Sequence, residues 1–232
     1  MNQQLPTNSI SHFTLALPDW AVAATTELPA YLPTVEDRMA AVIEFSRQNF
    51  RRETGGPFAA GVFERDSGRL VVIGVNRVVA HNCSSAHAEV MALSLAQQRL
   101  GAYDLGGPGL PAHQLVVNWR PCAMCYGAVL WSGVRSLIIG GLGHHLVDGV
   151  GLPIGIADAM ETEQPELLTD PQQKTFRAFA DATKSDRKAL AACIRGSRQV
   201  LTLAEAARIK TPTLICVGTK DDVAGDAHKL AA

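Results

Sequence analysis

His87 and Glu89 stand two residues apart, and Cys122 and Cys125 stand three apart further along the chain. One imidazole and two thiols form a donor set that zinc takes. Cysteines three apart at the start of a helix present both sulfurs on one face. A helix N-terminus favours the thiolate, the form that binds metal. Three such ligands leave the fourth tetrahedral position for water, as in a catalytic rather than a structural zinc site. Two thiolates balance the charge of Zn2+, yet the ion still acidifies its water. Glu89 can stand beside the metal without ligating it and carry protons between that water and a substrate ring nitrogen.

Two plainer readings stay open. Cys83, four residues before His87, could complete a four-ligand structural site, or the cysteines could be small buried hydrophobes. His-x-Glu alone is weak evidence. Pro121-Cys122-Ala123-Met124-Cys125 carries more, because composition yields Pro-Cys-x-x-Cys in roughly one such chain in two hundred.

Both motifs need helices to present them, and the pattern supplies these. Ala86 to Leu100 and Cys122 to Ser132 read as helices. Before them, Thr34 reads as an N-cap for a helix over Val35–Arg52, with Glu36 and Asp37 in its first turn. Gly55-Gly56-Pro57 ends that helix. Two apolar runs, Phe58–Glu64 and Leu70–Val75, follow and are joined by a hairpin turn at Arg65–Gly68. Gln114–Asn118 and Val134–Ile139 read as strands. Strands alternating with helices imply an α/β layer structure. Residues 1–34, punctuated by four prolines, read as an arm lying on the domain.

Composition bounds the rest. The 232 residues carry 21 Lys+Arg and 22 Asp+Glu, a net charge of −1. This balance argues against a dedicated nucleic-acid binder. No apolar run is long enough for a membrane span, and Met1–Ser11 lacks the basic start of a signal peptide. Five cysteines, an odd number, fit a reducing cytoplasm better than a disulfide framework.

Ala86-His87-Ala88-Glu89-Val90-Met91-Ala92-Leu93 and Arg120-Pro121-Cys122-Ala123-Met124-Cys125-Tyr126-Gly127-Ala128 resemble the cytidine/deoxycytidylate deaminase superfamily. The branch they resemble holds the guanine deaminases and tRNA-adenosine-deaminase-like nucleoside deaminases. Gly55-Gly56-Pro57-Phe58 and Gly74-Val75-Asn76 fit that branch too. The resemblance, over residues 35–140, implies a three-layer α/β/α core and one catalytic Zn2+ held by His87, Cys122 and Cys125. It implies Glu89 as the proton carrier, Asn76 as a substrate contact and a homodimer. The reaction implied is hydrolytic deamination of a small nucleobase or nucleoside, of guanine or cytosine type, with release of ammonia. Asn76 can equally be a turn residue. One departure is visible: Arg120 stands where the branch often has Glu, behind Asn118 and Trp119, and alters the pocket rim. Trp119 reads as a core residue, with stacking on a base as the alternative.

Residues 141–232 resemble something else, an incomplete α/β-hydrolase segment. A Gly-rich loop leads to a helix over Phe176–Arg195, a further helix near Leu203–Ile209 and a strand at Thr213–Val217. Asp221 takes the acid position of that family. The chain has no Gly-x-Ser-x-Gly, His228 follows Asp221 by only seven residues, and His144 and His145 lie in the early loop. Asp221 and Asp222 then read as a solvated turn. Two further functions remain beside the deaminase: an α/β-hydrolase-type esterase, and a zinc-stabilised domain without catalysis. Hydrolase-like segments must also cover the sheet edge that a deaminase covers with its own last elements, or leave it open.

Overall fold

In the computed structural model, residues 13–141, 154–184 and 186–196 are described, with short pieces beyond that include 215–217. The first helix, α1 (Asp19–Glu27), follows Pro18 and lies inside the expected arm. It buries Ala21 and packs Trp20, Ala24 and Leu28 against the core. Its start has no side-chain cap, which is why the sequence pattern did not mark it.

Helix α2 (Val35–Arg51) begins as expected, with the Thr34 hydroxyl accepting from Asp37 N at 3.0 Å. It buries Met39, Val42 and Phe45. Arg47, Arg51 and Arg52 lie on its exposed side. Strands β1 (Ala59–Glu64) and β2 (Leu70–Val75) form the predicted antiparallel hairpin. A short helix, α3 (Val78–His81), leads to α4 (Ala88–Leu100). Strand β3 (His113–Val117), α5 (Ala123–Ser132) and β4 (Ser136–Gly140) follow.

The sheet order is β2-β1-β3-β4-β5, with β1 antiparallel to both neighbours and β3, β4 and β5 parallel. Alternation along the strands supplies both faces. Phe63, Ile73, Val75 and Val116 meet α1 and α2 on one face, while Val62, Val72, Leu115 and Val117 meet α4 and α5 on the other. This is the expected three-layer core.

Helix α4 lies very close to β2. A Cβ on Gly74 would sit 2.5 Å from Ala92 N and 2.8 Å from Ala88 O. Only a residue without a side chain lets the first turns of α4 rest on the strand.

The segment after 153 differs from expectation. It forms α6 (Ile154–Glu161), a 3-10 turn (Pro165–Leu167), α7 (Pro171–Ala182) and α8 (Arg187–Gly196). The single helix read over Phe176–Arg195 is two. The chain turns at Lys184, whose φ is 51°, and the Asp186 carboxylate accepts from Lys188 N and Ala189 N to start α8. The three helices bury Ile156, Ala157, Met160, Ala180 and Ala191 among themselves. Phe179 of α7 stacks on Phe50 of α2 at 5.5 Å. Strand β5 (Ile215–Cys216) pairs with the last residues of β4, Ile139 and Gly140, so the sheet edge there is covered. The helix expected near Leu203–Ile209 falls almost wholly outside the described residues, as do His144, His145, Asp221 and Asp222. Among the described residues, no helix is long and apolar enough to cross a membrane.

Gly74→Ala is expected to cost about 1–3 kcal/mol, as overpacking does, and to lower Tm by several degrees. Thermal denaturation followed by circular dichroism checks this; an unchanged Tm contradicts the close approach.

Candidate metal centre and active site

His87 is the N-cap of α4 and Cys122 the N-cap of α5, both with extended backbone. Cys125 lies one turn into α5 and is fully buried. Two helix N-termini therefore converge, and both favour negative charge at the point where they meet. The His87 imidazole and the two sulfurs come together: His87 Nδ1 is 3.7 Å from Cys122 Sγ and 3.5 Å from Cys125 Sγ. All three donor atoms lie within 4.8 Å of one another.

These distances test the fit of zinc. With Zn–S near 2.3 Å and Zn–N near 2.05 Å, a tetrahedral angle puts N and S about 3.6 Å apart. The two observed nitrogen–sulfur separations bracket that value, so the spacing of His87 to each cysteine fits a zinc tetrahedron. Cys83 does not join them. It is half-exposed, and its sulfur lies 3.2 Å from Ser85 Oγ, so the four-ligand site with Cys83 does not form. Nor is Cys83 a buried hydrophobe: its bonds to Ser85 pull its thiol below the usual range.

Glu89 is buried, with 8% of its surface exposed. Burial is the main force that pushes the Cys125 thiol up, and Glu89 and Cys122 add to the rise. Without a cation this pocket holds Cys125 protonated; a divalent cation reverses that balance.

Asn76 follows β2 directly. Its backbone N donates to Phe58 O at 3.0 Å, and the next residue, Arg77, donates from its N to Ala86 O at 2.9 Å. The Asn76 loop is thereby tied to the residue before His87. Among the described residues, its Oδ1 receives only a long 3.4 Å bond, from Val78 N. Asn118, after β3, faces the other way. Its Oδ1 accepts from Ala59 N, and its Nδ2 donates to Ser46 Oγ and Pro57 O. Trp119 is 39% exposed, which corrects its reading as a core residue: β3 ends at Val117, and Trp119 lies in the loop before α5. Sequence reasoning missed Asn49, Asn118 and Ser46, each of which has at least one partner far along the chain: Asn76, Ala59 and Asn118.

A family model described as the cytidine and deoxycytidylate deaminase zinc-binding region matches residues 34–141. A solved guanine deaminase from Nitrosomonas europaea is 37% identical and aligns over 82% of this chain and 98% of its own, with a TM-score of 0.54. This chain belongs to the cytidine and deoxycytidylate deaminase family. A further solved structure, in complex with 2,6-diaminopurine, is 38% identical and aligns over 82% of this chain and 96% of its own, with a TM-score of 0.52. The guanine deaminase of Bacillus subtilis is 38% identical over 83 residues, 36% of this chain and 49% of that protein. The chain thus spans about half the length of the curated relatives it matches. The matched region contains both family motifs.

Purified protein is expected to hold about one zinc per chain by elemental analysis and to lose it in Cys122→Ser. Because burial raises the Cys125 thiol, binding must displace its proton. Zinc affinity should therefore rise between pH 6 and 8, about tenfold per unit for each proton released. Competition titration against a chelator at several pH values checks this; a flat profile contradicts it.

Proposed function

We propose that this protein is a zinc-dependent deaminase that hydrolyses guanine to xanthine and ammonia. One observation carries the reading: a buried glutamate beside an imidazole and two thiols spaced for zinc. The choice of guanine is supported by the two guanine deaminases to which the chain is 37% and 38% identical.

His87, Cys122 and Cys125 would hold the ion. When bound, it would bring the pKa of a water close to neutrality. Glu89 would take a proton from the attacking water as the water oxygen adds to C2 of the purine, and would deliver that proton to the adjacent ring nitrogen. The same carboxylate then passes a proton to the amino group. The C2–N bond breaks, ammonia leaves with the bonding pair, and a carbonyl remains at C2. Asn76 offers a side-chain amide to the polar edge of the base, and Trp119 stands exposed in the loop before Cys122. The near-neutral charge of the chain fits a small free base better than a nucleic acid.

We read residues 35–140 as the catalytic domain, 1–34 as an arm and 141–232 as an accessory segment of α/β-hydrolase type. The chain has no Gly-x-Ser-x-Gly, which speaks against chemistry of hydrolase type in that segment. The outer side of α5 exposes Leu130 (69%) and Trp131 (88%), and this apolar face is our candidate for a homodimer surface. A site built on thiolates, with Cys83 also free, fits a reducing cytoplasm.

Glu89→Ala is expected to lower kcat on guanine by about 10²–10⁴-fold while zinc per chain stays near that of the parent. Ammonia release and elemental analysis on the same preparation check it. Unchanged turnover with zinc retained removes Glu89 from the mechanism. Separately, Trp131→Arg should shift the sedimentation of the protein from dimer to monomer; identical sedimentation as a dimer excludes the α5 face.

A further inference from the structure

Asn49 is fully buried in the last turns of α2. Its side chain bonds to the turn that follows the helix and, 27 residues on, to the Asn76 backbone. Its Nδ2 donates to Gly56 O at 2.9 Å and to Asn76 O at 3.0 Å. Its Oδ1 accepts from Thr54 Oγ1 at 2.8 Å. Thr54 Oγ1 in turn accepts from the Trp20 indole at 2.9 Å, and Thr54 O accepts from the Arg77 guanidinium. Gly55 makes the junction possible, since a Cβ there would sit 2.0 Å from Asn76 O and 2.6 Å from Asn49 Nδ2.

We propose that Asn49 is a positioning residue for the reaction: it fixes the backbone at Asn76 and so sets where the Asn76 side chain meets the substrate. This rests on the reading of Asn76 as a substrate contact. The chemistry requires an amide. Two carbonyl oxygens, of Gly56 and Asn76, accept from this one buried amide; Gly56 O also accepts from Phe58 N at 2.8 Å, so it is the Asn76 oxygen for which Asn49 supplies the donor. Aspartate has none, and its charge would be buried without a cation. Residue 76 is thereby held on both sides, by Phe58 O at its N and by Asn49 at its O. The linked Thr54 and Trp20 extend the same support to α1, so the arm takes part in shaping the site. A loop free to shift by about 1 Å would cost on the order of a hundredfold in rate.

The test is a double-mutant cycle on the zinc-loaded protein, read as kcat/KM for guanine, with zinc content and Tm recorded for each variant. Asn49→Ala is expected to lower kcat/KM about tenfold to a hundredfold, mostly through KM, with zinc per chain unchanged. In an Asn76→Ala background, the same substitution should cost less than twofold further, because the contact it positions is gone. Thr54→Val keeps Asn49 and its volume but removes the hydroxyl that orients the amide. It should show the same background dependence on a smaller scale, and it serves if Asn49→Ala fails to fold. Equal losses in both backgrounds mean a general structural role and overturn the proposal, as does an unchanged kcat/KM in Asn49→Ala and Thr54→Val. If Asn76→Ala alone leaves kcat/KM unchanged, the substrate-contact reading fails and the positioning role falls with it.

Discussion

The structure depends on bringing two helix starts, far apart in sequence, to within one metal-ligand bond of a shared point. His87 caps α4 and Cys122 caps α5, and each carries its donor at the end of its helix rather than along its side. An error of one residue in either start would turn the donor away. The sheet sets both starts. Close contact at Gly74 seats α4 on β2, and β3 hands the chain to α5 through a loop whose first residue, Asn118, is bonded to Ala59, Ser46 and Pro57. The two helices pack on one face through Ala88, Ala92 and Val129. Once their ends converge, burial and the neighbouring acid give the pocket its character: a place that holds the Cys125 thiol protonated until a cation arrives.

The zinc-side residues were legible in the sequence because they are the first residues of periodic segments, where local pattern is strongest. Thr34, Gly55-Gly56-Pro57 and the hairpin turn punctuate the neighbouring segments, so the core elements lie close to where the pattern placed them. Asn49 was not legible. It sits inside an amphipathic helix as one more polar residue, and its meaning comes from Asn76, 27 residues on, which only the fold brings near. Trp119 was misread for a related reason, since a large aromatic beside a buried strand looks like core until the strand is seen to end at Val117. Helix α1 escaped notice because it is short and begins at Pro18 without a side-chain cap.

The segment after residue 153 adds helices and one strand pairing to the core. Helices α6, α7 and α8 form their own small core, joined to the rest through the Phe50–Phe179 stack. Strand β5 contributes two pairs at the edge of β4, which answers the backbone groups an open edge leaves unpaired. Helix periodicity suggested one long helix here. The break at Lys184 depends on its left-handed backbone and on Asp186 as a new cap, a local choice that an apolar stripe does not report.

The central claim is that three protein side chains, and only three, hold the metal, leaving a position for water. X-ray absorption at the zinc edge of the purified protein tests it directly. The account predicts two sulfurs near 2.3 Å and two lighter atoms near 2.0–2.1 Å, one from His87 and one from solvent. A shell with three sulfurs would bring Cys83 or another thiol into the site, and one with no sulfur would place the metal elsewhere; either result contradicts the account.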